Sequence, residues 1–368
     1  MSDIKFENLK VGLRERVLLN SFLNSKDFIL SKQVESFEKE FAKFNNVQHC
    51  VGVSSGTDAI YLALKSFGVG KGHKVIVQAN TIPGVALAIA RCGAKPIFVD
   101  VDIRKDQFNI TFDTVKQWIN DHTKAIIVTH MFGKVCEDIE KIVELAKSCS
   151  KAIVIEDASH AVGAALKGKH VGTFGDVGCF SFYPTKNLGA IGDAGCIISN
   201  NTGQDINLRR LRDSGSITDR SSLDTINSRM DEIQACVLRH RLKRLKKNNR
   251  KRILIAEQYR DKLLSMEESG YLSMPKNNNP HVFHQFIVTV DKQERSKLKE
   301  HLRQRGIETL VHYPYPHYIK TLFGAQHKFK NTKIGADQSL SLPMNPTLNK
   351  RDISRVCKEI INFFEKEI

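Results

Sequence analysis

The chain is short of several things, and each absence excludes something. No run approaches the roughly 18 consecutive apolar residues of a membrane helix, and the opening MSDIKFENLK lacks the apolar core of a secretory signal. The cytoplasm is therefore the expected location, with no membrane partner. No two cysteines stand in a CxxC spacing. Cys50, Cys92, Cys136, Cys149, Cys179, Cys196, Cys236 and Cys357 are scattered, so a zinc or redox motif is excluded and no metal is expected. They read as small buried hydrophobes in a reducing compartment. No internal repeat and no low-complexity segment is present.

Acidic residues are also scarce: 40 Asp and Glu face 56 Lys and Arg, a formal charge of +16. Such an excess suits an anionic partner, whether nucleic acid, a membrane surface or a phosphorylated substrate. Part of it lies in RHRLKRLKKNNRKR, residues 239–252. There Val237, Leu238, Leu242 and Leu245 recur at helical spacing, which predicts one amphipathic helix with a solvated basic face. Nothing aromatic is interleaved, as a single-strand binder requires, so no nucleic-acid partner is expected.

At 368 residues, 41% of them hydrophobic, the chain can bury a large core and is long enough for two domains. Its first two-thirds alternates short β-branched runs with helical patterns, the signature of an α/β fold with a mostly parallel sheet. Strands are expected over 49–53, 74–78, 95–101, 124–130, 151–157, 177–183 and 195–200. After about residue 245 come a long basic helix, a Pro and Asn loop (275–280), the strand FHQFIVTV and the helix KLKEHLRQRG. That order predicts a large domain over 1–245 and a smaller C-terminal α+β domain over 246–368.

Ligands of such sheets sit at the carboxyl ends of the strands, and four of these ends carry polar residues. VGVSSGTDA turns from a strand into a helix near Thr57, a ready phosphate seat of free amides at a positive helix end; alternatively Ser55 or Thr57 merely caps the helix. Gly52, Ser54 and Gly56 also satisfy G-x-S-x-G, and with Asp157 and His160 they mimic a hydrolase triad in the right chain order. Only one strand precedes Ser54, however, and Asp157 and His160 share one strand end. Thr129 and His130 end another strand. IEDASH leaves Glu156 and Asp157 at the end of a buried strand, where a carboxylate needs a core arginine or a protonated cofactor nitrogen. His160 either bonds that carboxylate, stacks on a ring, or is structural. Finally, FYPTKNLGAIGDAG puts Lys186 just past a strand. No glycine precedes it as a phosphate loop demands, and Gly189, Gly192 and Gly195 fail G-x-G-x-x-G. Desolvation beside Asp157 would favour its neutral, nucleophilic amine. Phosphate seat, carboxylate and amine together fit pyridoxal phosphate.

The sequence resembles the DegT/DnrJ/EryC1/StrS sugar aminotransferases, within the aspartate aminotransferase fold type. The likeness runs from FILSKQVESFEKEFAKF through SSGTDAIYLALKSFGVGKGHKVI, GAKPIFVDVD, IEDASHAVGA, VGTFGDVGCFSFYPTKNLGAIGDAG and NSRMDEIQACVL to HYPYPHY and LSLPMNP. It implies that Lys186 carries pyridoxal 5'-phosphate and Asp157 pairs with the pyridine nitrogen. Gly56, Thr57 and Ser181 fall on phosphate-binding positions, and His160 lies against the cofactor where many relatives have Gln. Asn227 matches a residue that reaches the cofactor phosphate of the other subunit, which implies a homodimer with shared sites. Lysine at 186, where deoxygenating relatives have histidine, implies transamination with L-glutamate as donor.

KNLGAIGDAG with HYPYPH resembles the branch that aminates C3 of nucleotide-linked 3-keto-6-deoxyhexoses, such as dTDP-3-keto-6-deoxygalactose; C4 amination is the alternative within the family, and a non-catalytic regulator of the same fold is the other. On this resemblance His312, Tyr313 and His317 approach the sugar nucleotide, Tyr183 lies near the reacting centre, and Arg229 contacts carboxylate or pyrophosphate. Tyr183 packed in the core and Arg229 in a structural salt bridge are the plain alternatives. Ile82 departs from the pattern, standing where relatives commonly stack an aromatic ring, and Ser31 stands where they often have Gly.

Overall fold

The computed structural model describes residues 3–7, 10–24, 28–103, 108–213, 225–276, 280–324 and 328–365. Helices α1 (Leu13–Leu23) and α2 (Lys32–Asn45) lead into strand β1 (His49–Val53). In α2 the residues Val34, Phe37, Phe41 and Ala42 make one buried face. Its N-terminus is held from outside. Buried Glu232 accepts hydrogen bonds from the amides of Ser31 (2.5 Å), Gln33 (2.6 Å) and Val34 (3.2 Å), a carboxylate set against the positive helix end.

Then follow α3 (Gly56–Ser66), β2 (Lys74–Gln78), α4 (Pro83–Arg91), β3 (Lys95–Val99), α5 (Phe112–Lys116) and β4 (Thr123–Thr129). Next come α6 (Ile139–Cys149), β5 (Ile153–Asp157), the small hairpin of β6 (Ala165–Leu166) and β7 (Lys169–His170), β8 (Val177–Ser181), β9 (Gly195–Ser199) and α7 (Thr202–Arg212). Seven strands form the central sheet in the order β1-β9-β8-β5-β4-β2-β3. Pairing is parallel from β3 to β8, and only β9 runs antiparallel to its neighbours. The α/β architecture with a mostly parallel sheet is thus present. Its strands read as continuous apolar runs because helices cover both faces: one core gathers α3 and α4 on Val75, Val77 and Ile127, another sets α6 on Ile126, Val128 and Val154. Most strands are a residue or two shorter than predicted. The carboxyl ends of β1, β4, β5 and β8 share one edge.

The basic run corrects a prediction. It is two helices, α8 (Glu232–Leu242) and α9 (Leu245–Glu268), broken at Lys243 and Arg244. Leu238, Leu242 and Leu245 pack into the large core around Phe41 and Phe180, whereas Ile255, Tyr259 and Leu263 pack into the C-terminal one. A straight helix cannot serve both. The chain continues through β10 (Leu272–Ser273), β11 (Phe286–Val290), α10 (Lys292–Gln304), α11 (Tyr318–Phe323), α12 (Lys330–Gln338), β12 (Ser339–Leu342) and α13 (Lys350–Glu365). β10, β11 and β12 form an antiparallel sheet. Ile4 joins this C-terminal core and bridges Ile307, while Ile319 and Phe329 reach back to the core under α3 and α4.

A second seam joins the two parts. Residues 132–135 run beside 280–285, with Val135 N donating to Pro280 O (3.0 Å), Val282 N to Gly133 O (2.9 Å) and Gln285 N to Phe132 O (3.2 Å). Seven cysteines are buried as expected, but Cys149 is exposed near the end of α6. Among the described residues no helix is long and apolar enough to cross a membrane, and no cluster of His, Cys, Asp and Glu could hold a metal ion.

Candidate active site

Helix α3 begins at Gly56, and its N-cap is Ser55, whose Oγ accepts from the Asp58 amide at 3.1 Å. Ser55 therefore caps, and the amides of Gly56 and Thr57 in the first turn are left pointing out of the helix. A Cβ on Gly56 would lie 2.6 Å from Ser181 Cβ at the end of β8, so the helix start and the strand end touch only because residue 56 has no side chain. A Cβ on Gly84 would lie 2.5 Å from Thr57 Oγ1, which brings the start of α4 against the same turn. Ile82 caps α4 and is partly buried against its core. Ser54 donates to Asp58 Oδ2 (2.7 Å) and shares a bond with Ser228 Oγ (2.9 Å). Its partners are thus a carboxylate and a hydroxyl, and the hydrolase alternative falls.

The two carboxylates ending β5 have separate fates. Glu156 accepts from the amides of Phe174 (2.6 Å), Gly175 (2.8 Å) and Gly172 (2.8 Å) and lies 2.9 Å from His130 Nε2, so it is a structural clasp. Asp157, 3% exposed, accepts from Ser159 N at 3.2 Å and makes no ion pair among the described residues. No core arginine meets it. Beside it in register stands Thr129, whose buried Oγ1 has no partner.

Lys186 sits in the turn after β8, its amide bonded to Tyr183 O at 2.9 Å. The turn is anchored by the next residue: Asn187 Nδ2 donates to Asn249 Oδ1 and to Val282 O, both at 3.0 Å, and Asn249 Nδ2 donates to Val162 O at 2.9 Å. Burial lowers the Lys186 pKa to about 8, against the opposing pull of Asp157 and then Glu7. His160 is buried, and burial, with Lys186 and His312 nearby, holds its pKa well below the ordinary value. Its Nδ1 accepts from Phe132 N at 3.2 Å, so the neutral ring carries its proton on Nε2, 3.4 Å from Tyr313 Oη. Burial raises the Tyr313 pKa, reinforced by Asp157. His312, lowered to about 4 chiefly by burial, shares a bond with Ser341 Oγ at 2.9 Å.

Lys186, Asp157, His160, Ser181, Gly56, Thr57, His312 and Tyr313 thus gather at the strand ends and the adjoining C-terminal loop. Four other candidates lie outside this cluster. Tyr183 is 51% exposed, so it is not a core residue, and its amide donates to Ser181 Oγ at 3.3 Å. Asn227 is exposed on the segment before α8, and Arg229 faces Asp213 at 3.5 Å. His317 is exposed at the start of α11, its ring against Tyr315. Ser31 is the N-cap of α2. Sequence reasoning missed His284, whose ring centre lies 4.5 Å from that of His160, and Glu7 and Arg252, which share a cavity with Lys186. These come from segments far apart in the chain with no motif to announce them.

This combination defines an aminotransferase of fold type I, and the comparisons agree. The profile of the DegT/DnrJ/EryC1/StrS aminotransferase family matches residues 12–361, and the chain belongs to that pyridoxal-phosphate-dependent family. It is similar to a pleiotropic regulatory protein of Geobacillus stearothermophilus (36% identity over 98% of this chain and 96% of that protein). It is 38% identical, over 95% and 94%, to the UDP-N-acetyl-3-dehydro-alpha-D-glucosamine 3-aminotransferase of Acidithiobacillus ferrooxidans. It is 34% identical, over 97% of each, to the dTDP-3-amino-3,6-dideoxy-alpha-D-galactopyranose transaminase of Aneurinibacillus thermoaerophilus. Among solved structures, S. venezuelae DesV in complex with a ketimine intermediate superposes with a TM-score of 0.90 at 32% identity, covering 99% of both chains.

The residues present fit the cofactor. A partly neutral amine, a buried carboxylate without a cationic salt bridge, an unpartnered Thr129 hydroxyl and a helix start floored by glycine are what an aldehyde, a ring nitrogen and a phosphate require.

Proposed function

We propose that this protein moves an amino group from L-glutamate to C3 of a nucleotide-linked 3-keto-6-deoxyhexose, forming for example a dTDP-3-amino-3,6-dideoxyhexose. The observation that carries it is Lys186, with a pKa lowered to about 8 beside Asp157. The 3-amino position in the names of two relatives supports C3; since one of these is a UDP-sugar enzyme and the other a dTDP-sugar enzyme, the base is left open. C4 amination is the second reading, since a GDP-perosamine synthase is also 32% identical.

Bound pyridoxal phosphate supplies an electron sink that stabilises carbanion charge next to its carbonyl carbon. Lys186 Nζ would hold the cofactor, and the same amine is placed to move a proton to and from the substrate carbon. Asp157 keeps a positive charge on the ring nitrogen, and Gly56, Thr57 and Ser181 bind phosphate. His160 covers the ring, with Ile82 giving apolar contact in place of an aromatic face. Tyr183, Arg229, His312, Tyr313 and His317 receive the sugar nucleotide. We assign residues 1–245 to the cofactor domain and 246–368 to the small one, with Ile4 crossing into the C-terminal core and Ile319 and Phe329 crossing back. Two copies in the cytoplasm share sites through Asn227, and the exposed Leu13, Val17, Leu23, Phe28 and Ile29 supply an apolar face for that contact.

The test is incubation of cofactor-loaded protein with L-glutamate and dTDP-linked 3-keto or 4-keto sugar. The C3 amino sugar is expected. A product aminated only at C4 overturns the position, and no amination of either overturns the function.

A further inference from the structure

A cavity of about 360 Å³ lies in the seam between the two parts of the chain. Lys186, Asp157 and His160 do not line it, so it is separate from the cluster at the strand ends. Its floor is β11, where side chains alternate: Phe286 and Val288 enter the C-terminal core, and Ile287 and Thr289 turn to the cavity. Helix α12 closes one wall. A Cβ on Gly335 would lie 2.7 Å from Phe108 Cε1, so the helix reaches that ring only because residue 335 has no side chain. Exposed Lys276 and half-buried Gln338 mark the opening.

The walls define the ligand. Phe108 and Phe132 meet edge to face, with ring centres 5.2 Å apart, and the flexible thioethers of Met131 and Met274 also line the space. Such groups favour a planar ring. An apolar cavity of about 150 Å³ holds benzene, so this one has room for two fused rings and a substituent. Gln285 is 4% exposed, and its Oε1 has no hydrogen-bond partner, so it calls for an N–H donor. An amide sets an acceptor beside a donor, the pattern that meets the amino group and adjoining ring nitrogen of adenine. Lys134 and Lys276 line the cavity and no carboxylate does among the described residues, which disfavours a cation.

Phe132 is the wall shared with the active site. Its backbone is left-handed (φ 57°), a conformation that a bulky residue rarely adopts. Its amide donates to His160 Nδ1 and its carbonyl accepts from the Gln285 amide, both at 3.2 Å. Its ring lies near parallel to those of His160 and Tyr313, at 6.3 Å from each.

We propose that this cavity is an effector site for a planar, amino-substituted heteroaromatic of purine size. The exocyclic N–H meets Gln285 Oε1 and the ring packs on Phe132, whose hold on His160 carries occupancy to the cofactor. That link rests on the ring-covering role given to His160 above; the cavity itself does not.

Adenosine, whose only base N–H groups are exocyclic, and its N,N-dimethyl analogue, which has none, are titrated calorimetrically into cofactor-loaded wild type, Gln285→Leu and Thr289→Phe. One hydrogen bond should favour adenosine by about two- to tenfold in the wild type. Gln285→Leu should erase that preference without lowering Tm, because it removes a buried oxygen that has no partner. Thr289→Phe, which fills the cavity, should bind neither. No adenosine binding by the wild type, a preference kept by Gln285→Leu, or binding by Thr289→Phe overturns the site. Pyridoxal phosphate affinity of cofactor-free protein is then measured by visible absorbance with and without saturating adenosine. It should tighten by about twofold or more in the wild type and not in Thr289→Phe; an unchanged wild-type affinity overturns the effector role. A His160→Ala protein that binds cofactor as tightly as the wild type overturns the place given to His160, and the effector role with it.

Discussion

The amine of Lys186 offers the sharpest quantitative test. Its pKa is lowered from 10.5 to about 8, chiefly by burial. Near pH 7.5 an ordinary lysine is neutral in about one molecule in a thousand, whereas a pKa of about 8 leaves about a quarter neutral, a gain of roughly 200-fold in reactive amine. The rate at which cofactor-free protein captures pyridoxal phosphate, followed by visible absorbance, should therefore rise with pH and level off above about 8. Asp157→Asn removes the charge that opposes the shift, so the midpoint should move lower still, by about one unit for a close pair. The linkage has a definite sign. Between about pH 8 and 10.5 the unfolded chain holds a proton that the folded one does not, so cofactor-free protein should gain stability as pH rises through that window. A midpoint near 10, or one that Asp157→Asn leaves in place, refutes the placement of this amine in a desolvated site beside Asp157.

Further outcomes follow from neighbouring contacts. Gly56→Ala pushes a methyl to 2.6 Å from Ser181 Cβ, so the helix start must move off β8. A cost of about 1–3 kcal/mol in thermal or denaturant unfolding is expected, with cofactor affinity at least tenfold weaker by equilibrium dialysis; unchanged affinity would count against the phosphate seat. Glu156→Gln turns an amide NH2 toward backbone N–H donors that now meet a carboxylate, so it should cost about 2–3 kcal/mol of stability. The adjacent Asp157→Asn should leave the cofactor-free melting temperature nearly unchanged above about pH 9, where Lys186 is neutral, since Asp157 accepts from a single amide.

That Lys186 and Asp157 lie at one edge of the sheet was legible in the sequence because Asp157 ends one apolar strand and Lys186 follows another within a short turn, and the carboxyl ends of parallel strands converge whatever the loops do. Helix α3 was legible too, down to the alternatives for its cap. The break at Lys243 and Arg244 was not. Leucines keep helical spacing straight through it, and only the presence of two cores on different axes makes the chain turn. The separate fates of Glu156 and Asp157 were equally hidden, because the amides that clasp Glu156 come from residues 172–175. His284 and Glu7 reach the site through tertiary packing alone, from opposite ends of the chain.

One asparagine has a wider reach than its size suggests. Asn249, on the first turns of α9, holds the residue after Lys186 with one amide atom and the loop after His160 with the other. Helix α9 also carries the C-terminal core, so the Lys186 amine and the His160 imidazole are both geared to the same shaft. A rotation of that helix would retime the two together, and an exchange of the C-terminal domain between relatives would work only if this fulcrum travelled with it.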